Sequence, residues 1–205
     1  MLKKILFRSL EIFFSLMLLL LLSPFFILIV LIIKLTSKGS VFFIQKRAGL
    51  NMKPFYIIKF RTMIEKAEEI KKKIKKLNEA KGPVFKIKND PRYTLFGKWL
   101  AKRGLDELPQ IINILKGEMS FVGPRPLPID EAKKVPKKYE KRFSVKPGII
   151  STWAVNGAFH NDFDRWMRMD LEDIKNKSFY YDLSIILKGI KLLFIYLLKA
   201  KNGEK

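Results

Sequence analysis

An uncharged run near the N-terminus constrains the fold more than any other feature of the sequence. The run covers residues 12–33 and is bounded by Glu11 and Lys34. Its 22 residues are enough to cross the hydrocarbon core of a bilayer as an α-helix. The run is too long and too uniform for the apolar segment of a signal peptide, and no small-residue cleavage site follows it. A single transmembrane helix is therefore the default prediction.

The flanks and the centre of this run favour a different path through the membrane. Basic residues lie on both sides, namely Lys3, Lys4 and Arg8 before the run and Lys34, Lys38, Lys46 and Arg47 after it. The positive-inside bias therefore gives no orientation. Near the middle, Pro24 cannot donate to the Leu20 carbonyl, and the Ser23 hydroxyl can cap a carbonyl freed in this way. A helix broken there could enter one leaflet and return, so the residues leave spanning and re-entrant paths open.

Charge and composition narrow the chemistry. Among the 205 residues, 41 Lys and Arg against 19 Asp and Glu give a net charge of +22. Such a charge suits a polyanionic partner, which could be nucleic acid, an anionic membrane surface or a phosphorylated substrate. The chain has no cysteine, which excludes disulfides, thiolate catalysis and cysteine-based zinc sites. Its one histidine, His160, leaves acid and base chemistry mostly to carboxylates.

Hydrophobic periodicity after the apolar run predicts a mixed α and β domain. Two short β-like segments between Val41 and Thr62, separated by a turn over residues 49–54, predict a hairpin bearing cations. Helices are predicted over residues 63–80, 95–102 and 129–143, the last interrupted by Pro136. A turn is predicted at Pro147-Gly148.

Two predicted helices follow this turn. One contains Phe163, Trp166, Met167 and Asp170, whose aromatic side chains we expect to pack inside the protein because no basic residues alternate with them. The other runs from Tyr181 to Ala200 and carries interior lysines, which makes it a poor membrane span. It is predicted to lie in the lipid interface or to form a core helix with a basic outer edge.

The segment from Gly104 to Pro126 holds the strongest candidates for chemistry. A helix is predicted to open at Pro109 and to end near Gly117, with Asp106 and Glu107 at its mouth. The backbone N–H groups and the dipole at that end favour negative charge, which predicts that both carboxylates are ionised. Pro124 and Pro126 fix φ on either side of Arg125, so its guanidinium is presented from a stiff turn and suits phosphate oxygens.

Each of these pieces also has a purely structural interpretation, since acidic residues at a helix start are usually just favourable charges. Their combination points further. A carboxylate able to attack phosphorus, a neighbour able to hold Mg²⁺ and a rigid arginine are the parts that phosphoryl transfer needs. The common nucleotide, zincin and serine-hydrolase motifs are absent from the sequence. The Asp162-Phe163-Asp164 motif could hold a metal, but helix capping by Asp162 explains it equally well.

Several longer motifs, in a fixed order along nearly the whole chain, give it a specific resemblance. They are Ser23-Pro24, Gln45-Lys46-Arg47-Ala48-Gly49, Lys59-Phe60-Arg61-Thr62-Met63, Asp90-Pro91-Arg92, Leu105-Asp106-Glu107-Leu108-Pro109-Gln110, Gly117-Glu118-Met119-Ser120 and Val122-Gly123-Pro124-Arg125-Pro126. With these motifs the chain resembles the monotopic phosphoglycosyl transferases, the bacterial sugar transferases that start glycoconjugate assembly.

The resemblance implies transfer of a sugar 1-phosphate, expected to be a hexose phosphate, from a UDP-sugar to polyprenol (undecaprenyl) phosphate with release of UMP. The sugar would pass through a covalent aspartyl intermediate, in the first membrane step of exopolysaccharide, O-antigen or capsule assembly. By the same resemblance Asp106 is the nucleophile, and Glu107 together with Asp106 holds Mg²⁺. Substrate or phosphate binding is implied for Arg125, Lys59, Arg61, Arg92, Arg103, Gln45 and Arg47.

The resemblance also implies an architecture and a location. Residues 1–36 would form a re-entrant membrane helix kinked at Ser23-Pro24. Residues 37–205 would form a compact, largely helical α+β catalytic domain, with a small β-hairpin and interfacial amphipathic helices. This domain would lie on the cytoplasmic face of the bacterial inner membrane. Membrane lipid is an expected partner, nucleic acid is not, and assembly as a homodimer is left open.

The chain departs from the family pattern at two places. Relatives usually carry an arginine where this chain has Ala101, and Lys102 or Arg103 would have to substitute. The Gln and Arg of the family's Q-V-x-G-R motif are missing from residues 154–158.

Two rival functions also stay open. One is a membrane-bound metal-dependent glycosyltransferase that uses Asp162 and Asp164 and releases UDP, and the other is a non-enzymatic membrane anchor or nucleic-acid binder.

Overall fold

The structure, a computed structural model, describes residues 2–158 and 160–199, with side chains for residues 5–158 and 160–196. Within these residues the helices are α1 (Leu2–Thr36), α2 (Ala67–Lys73), α3 (Leu95–Lys102), α4 (Ile111–Lys116), α5 (Ile129–Ala132), α6 (Thr152–Val155), α7 (Phe163–Asn176) and α8 (Phe179–Lys199). The strands are β1 (Phe42–Ala48), β2 (Pro54–Phe60), β3 (Ser120–Val122) and β4 (Gly148–Ile150). The predicted end of the last helix at Ala200 and the side chains of Lys3 and Lys4 lie outside the described residues.

Helix α1 contains the predicted apolar run and continues through Ser23 and Pro24. The Ser23 hydroxyl donates to the Leu20 carbonyl at 2.7 Å, and this carbonyl is the one that Pro24 leaves without a backbone donor. The predicted capping is therefore confirmed. The expected break into two half-helices is not seen, and a re-entrant path stays a prediction.

The N-terminal half of α1 is fastened to the rest of the protein by polar contacts. The Arg8 guanidinium donates to the carbonyls of Ile114 and Leu115 at 2.7 and 2.6 Å, at the end of α4 where backbone carbonyls lack helical partners. Three residues further along α1, the Glu11 carboxylate accepts from the Ser120 hydroxyl at 2.6 Å. The cation at a helix C-terminus also interacts favourably with the helix dipole.

The C-terminal half of α1 packs on the same body by apolar contacts. Ile29 and Ile33 are buried in a cluster whose other buried members are Val41, Phe60, Leu100 and Leu105. Many other apolar side chains of α1 are exposed, among them Leu20, Leu21, Ile27 and Leu31. Helix α1 therefore has one face on the protein and a broad apolar face left for lipid.

The predicted hairpin is confirmed as β1 paired antiparallel with β2. Side chains of successive strand residues point to opposite faces, so Phe55, Ile57 and Lys59 of β2 share one face. Phe55 and Ile57 fill a buried cluster with Ile114 and Met119, and this packing fixes the register of the strand. The same face therefore carries the Lys59 ammonium into the interior.

Other predicted elements differ from the structure in length or type. The helix predicted over residues 63–80 is only α2 followed by a 3₁₀ turn at Lys75–Leu77, and the one predicted over 129–143 is α5 followed by a 3₁₀ helix at Lys137–Ser144. The predicted Pro147-Gly148 turn is wrong in part, because Gly148 begins β4, which pairs in parallel with β3. A Cβ on Gly148 would meet the Gly123 nitrogen at 2.1 Å, so only glycine permits this approach.

The main core lies between α7, α6 and the 3₁₀ helix at Lys137–Ser144. Phe163, Trp166 and Met167 of α7 are buried, and the Trp166 ring stacks on Trp153 with centroids 4.2 Å apart. The predicted packing role of these residues is confirmed. Helix α8 does not fit the core-helix alternative, because most of its described side chains are at least partly exposed and Ile185 is the buried one.

Candidate active site

Asp106 and Glu107, called the acid pair from here on, lie in a 3₁₀ helix, Leu105–Gln110, that leads directly into α4. Gly104 has a φ of 69° and turns the chain into this helix, and Gly117, with a φ of 81°, ends α4. The helical segment therefore starts four residues before the predicted start at Pro109. Asp106 and Glu107 occupy its first turn instead of preceding it, where acidic side chains still favour the positive end of the helix.

Two cations hold Glu107. The Lys59 ammonium lies 2.5 Å and an Arg125 guanidinium nitrogen 2.8 Å from the same oxygen, Oε1. Burial opposes ionisation of Glu107, but the charges of Arg125 and Lys59 outweigh it and hold its pKa well below the usual range. Glu107 is therefore an anion, as predicted, and its shortest contact with each of the two cations involves the same oxygen, Oε1.

The Asp106 carboxylate differs from that of Glu107 in its hydrogen bonding and in its pKa. Its residue is 9% exposed, and no hydrogen bond reaches its carboxylate from the part of the chain that the structure describes. Burial raises its pKa above the ordinary aspartate value, Lys59 counteracts this, and the neighbouring Glu107 charge adds to the increase. The prediction that the helix end keeps both carboxylates ionised therefore holds for Glu107, whereas desolvation works against it at Asp106.

Four residues support the turn over residues 124–126, which holds Arg125 beside the acid pair. Pro124 and Pro126 are buried on either side of Arg125. The Arg47 guanidinium donates to the Pro126 carbonyl at 3.1 Å, and the Arg142 guanidinium donates to the Arg125 carbonyl at 3.0 Å. Contacts to the backbone around Arg125 therefore fix its position, and its guanidinium stays half-exposed beside Glu107.

Arg142 is itself held by a buried ion pair. Its guanidinium lies 2.7 Å from the Asp170 carboxylate, and the two side chains are 1% and 0% exposed. Burial raises the pKa of Asp170 to about 6 against the opposing charge of Arg142. The helical spacing predicted for Asp170 is thus correct, and its partner explains how a carboxylate is accommodated in this core.

Two further predicted binding residues lie on the hairpin. The pKa of Arg47 is lowered to about 10, first by burial and then by the charge of Arg125. Gln45 lies opposite Ile57, on the hairpin face that also carries Arg47 and Lys59. The structure therefore brings Lys59, Arg47 and Arg125 together around the acid pair, with Gln45 on the adjoining strand face.

The other three predicted phosphate-binding arginines are engaged elsewhere. Arg61 donates to the Ser37 carbonyl and hydroxyl at 3.0 and 2.8 Å, at the end of α1. Arg92 forms a buried pair with Asp90 at 2.6 Å and donates to the Ala67 carbonyl. Arg103 lies over the Trp99 ring, 4.4 Å from its centroid. The structure does not join these guanidinium groups to Glu107, and their role in phosphate binding stays a prediction.

The structure also identifies site residues that the sequence interpretation missed. Lys86 lies close enough to Asp106, Glu107 and Arg125 for their charges to act on its ammonium, and its pKa is lowered first by burial and then by Arg125. Burial and the charge of Asp106 likewise raise the pKa of Tyr93. Both precede Asp106 in the sequence, Lys86 by 20 residues and Tyr93 by 13, and the local pattern around them gives no signal for a partner at that distance.

The two aspartates of the Asp162-Phe163-Asp164 motif, the alternative metal site, make structural contacts. The Asp162 carboxylate accepts from the Arg165 N–H at 2.9 Å, so the predicted capping of α7 is confirmed. Asp164 accepts from the Tyr139 hydroxyl and pairs with Lys138. Within the described residues, no group of three or more His, Asp and Glu side chains could hold a metal.

The acid pair nevertheless offers oxygen donors of the kind that Mg²⁺ uses. The Asp106 carboxylate has no hydrogen bond from the described part of the chain, and the shortest contacts of Lys59 and Arg125 with Glu107 both involve Oε1 and not Oε2. Magnesium sites commonly use one or two carboxylates and complete the shell with water and substrate phosphates. The donor set therefore fits this cation in the presence of a phosphorylated substrate.

Within the described residues, one helical segment, Ile5–Thr36, is long and apolar enough to cross a membrane. Beside it lies a mostly buried acid pair surrounded by several cations, so fold and site define an α+β protein that has an apolar membrane helix and a cation-rich acidic centre. The sequence matches the family described as "Bacterial sugar transferase" over residues 2–195. The chain belongs to this family, which confirms the resemblance.

Curated relatives agree with the family assignment. The chain is 37% identical to the exopolysaccharide production protein ExoY of Rhizobium meliloti over 187 residues, which is 89% of this chain and 83% of ExoY. It is 40% identical to the galactosyl transferase CpsE of Streptococcus agalactiae over 158 residues, 77% of this chain and 35% of CpsE. It is 35% identical to the undecaprenyl-phosphate galactose phosphotransferase of Salmonella typhimurium over 76% of this chain. The chain spans about a third of the length of the latter two.

Proposed function

We propose that this protein transfers a sugar 1-phosphate from a UDP-sugar to polyprenol phosphate, releases UMP and passes through a phosphosugar ester of Asp106. The observation that supports this proposal most directly is the division of labour in the acid pair. Glu107 neutralises Lys59 and Arg125 through one oxygen, whereas Asp106 has no hydrogen bond from the described residues. A carboxylate without such partners keeps its lone pairs available for attack on phosphorus.

The first step would join Asp106 to the sugar phosphate. A carboxylate oxygen of Asp106 attacks the phosphorus that bears the sugar, and a new carboxyl–phosphate bond forms. The bond from this phosphorus to the bridging oxygen of the diphosphate breaks, and UMP leaves with the electron pair. Arg125, Lys59 and Lys86 provide the positive charge that offsets repulsion between the anionic nucleophile and the anionic donor.

The second step would return the enzyme to its starting state. An oxygen of polyprenol phosphate attacks the same phosphorus, and the bond to Asp106 breaks, which regenerates the carboxylate. Asp106 and Glu107 would hold Mg²⁺, and the bound cation would supply further charge neutralisation at the phosphates. Burial raises the pKa of Asp106, so the positive charge of this cation would also favour the ionised, nucleophilic form of Asp106.

The packing of α1 supports a membrane-surface location for this chemistry. About 38 Å of helix axis separates Arg8 from Ile33 at 1.5 Å per residue, which exceeds the roughly 30 Å hydrocarbon core. Both positions nevertheless contact the body that contains Asp106. A helix that crossed the bilayer would place its ends on opposite sides, so we propose that residues 1–36 enter one leaflet and that residues 37–205 lie at the cytoplasmic face of the inner membrane.

Intact-protein mass spectrometry tests the proposed chemistry. The full chain in detergent or lipid is incubated with a UDP-sugar alone, and released nucleotide is measured in parallel. We expect a mass increase equal to one sugar phosphate, located by peptide mapping on Asp106, together with UMP. Asp106→Asn should lose both, while Asp130→Asn, an exposed carboxylate on α5, should keep both. Release of UDP without an adduct would instead support an ordinary glycosyltransferase and refute the proposal.

A further inference from the structure

A cavity of about 240 Å³ lies between the loop before Asp90 and the loop after α6. Its lining includes five residues with polar side chains, namely Glu79, Lys86, Lys88, His160 and Asn161, together with Ala80 and Ala158. Of these residues, Lys86 also adds positive charge at the acid pair. The cavity is smaller than the roughly 300–1,000 Å³ of sites for drug-sized ligands, so it suits one ring and not a whole nucleotide sugar.

The walls of the cavity are held by hydrogen bonds within and between the two loops. The Asn78 side chain accepts from the Lys86 N–H at 2.8 Å, and the Glu79 carboxylate accepts from the Lys88 N–H at 3.1 Å. The Lys81 N–H donates to the His160 carbonyl at 2.9 Å and ties the two loops together. A cavity with fixed walls loses little entropy when a ligand binds.

The cavity lies next to Arg125, on the side of the acid pair where the proposed phosphate would bind. The Arg125 guanidinium lies 5.9 Å from the centroid of the Trp153 ring, and the His160 ring meets the same ring edge-on at 4.9 Å. His160 therefore continues the wall from Arg125 into the cavity. On the other side, Lys86 lies in the cavity lining and within range of the Asp106 charge.

We propose that this cavity binds the carbohydrate ring of the donor and sets which sugar is transferred, an inference that rests on the function proposed above. Glu79 and Asn161 offer a carboxylate and an amide that can pair with ring hydroxyls. The Lys86 ammonium donates no hydrogen bond to the described residues, and its charge acts on Asp106, so it would be available to the phosphate that joins the ring to Asp106. The uracil base is the less suitable occupant for the His160 ring, because edge-on contacts with Trp153 and Trp166 set the orientation of that ring and make it a poor stacking platform.

Sugar selectivity and UMP inhibition, measured together, test this assignment. For wild type, Asn161→Ala and Glu79→Gln, kcat/KM for UMP release is compared between UDP-glucose, UDP-galactose and UDP-N-acetylglucosamine. The inhibition constant of UMP, which has no sugar, is measured for the same proteins. We expect each variant to change the ratio of kcat/KM between two sugars by about tenfold, the value of one lost hydrogen bond, and to leave UMP inhibition unchanged.

A matched control is Glu172→Gln, the same substitution at an exposed position of α7, which should alter neither quantity. Weaker UMP inhibition with unchanged sugar ratios would place the base in the cavity and overturn the inference. Unchanged values of both quantities in an active, folded variant would also overturn it. If wild type releases no UMP from any UDP-sugar, the proposed function fails and the sugar assignment with it, which distinguishes the two failures.

Discussion

The ion pair between Lys59 and Glu107 can be measured by a double-mutant cycle with Lys59→Met and Glu107→Gln. The two groups lie 2.5 Å apart and their side chains are 11% and 15% exposed. Hydrogen bonds that involve charged groups contribute about 1.5–3 kcal/mol when water is mostly excluded. We therefore expect a coupling free energy of about 1.5–3 kcal/mol, which corresponds to a change in melting temperature of about 3–12 °C at this chain length.

The single substitution Lys59→Met should lower the free energy of unfolding by less than the coupling free energy. Burial lowers the pKa of Lys59, so removal of the ammonium also removes a desolvation cost, and Glu107 keeps Arg125 as a partner. Only the full cycle separates these contributions, with the free energy of unfolding measured by denaturant titration in one detergent. This distinction explains why a single substitution would underestimate the interaction.

The surface pair Lys138 and Asp164 provides the control cycle, with Lys138→Met and Asp164→Asn. These side chains are 64% and 55% exposed, and solvent screens their attraction. We expect no coupling above the error of the measurement. If Lys59 and Glu107 couple no more strongly than this pair, water reaches the acid pair freely, and the argument from an enclosed, cation-neutralised site is refuted.

Two further predictions concern pH and topology. The acid limb of kcat/KM should follow Asp106, so activity should fall with decreasing pH at a value above that of ordinary aspartate. Glu107→Gln removes a charge that raises this pKa, so the limb should move to lower pH, and a shift to higher pH would contradict the assignment. Because the chain has no native cysteine, single cysteines at positions Ile5 and Lys72 can be labelled with a membrane-impermeant reagent. Both should react from the same side, whereas labelling from opposite sides would establish a spanning helix.

Local sequence patterns predicted the parts of the fold that local forces determine. The hairpin follows from two β-like segments around a turn, and α3 has the predicted bounds because Thr94 caps its first turn. The apolar spacing of α7 likewise identified its buried face. In contrast, β3 and β4 are three residues long and pair across more than twenty residues, so neither has a periodicity that could identify it.

The sequence motifs predicted which residues would meet at the candidate site but not their electrostatics. The structure brings the predicted residues Asp106, Glu107 and Arg125 together, and their role in phosphate chemistry stays a prediction. Whether a carboxylate is ionised depends on which charges from distant segments surround it, and sequence spacing does not contain this information. Asp106 is therefore harder to ionise than the helix-end argument predicted, while Arg61 and Arg92 have partners that occupy their guanidinium groups.

The attachment of α1 at both ends connects the membrane to the acid pair. Arg8 binds the last carbonyls of α4, and the helical segment that ends there begins with Asp106 and Glu107. The other half of α1 packs in the apolar cluster that also contains Leu105, the residue directly before Asp106. Because both contacts act on the element that carries the acid pair, the depth of α1 in the lipid would fix the height of Asp106. The proposed lipid-linked phosphate would have to be met at one particular level of the interface, and a rigid connection to the membrane helix would provide that level.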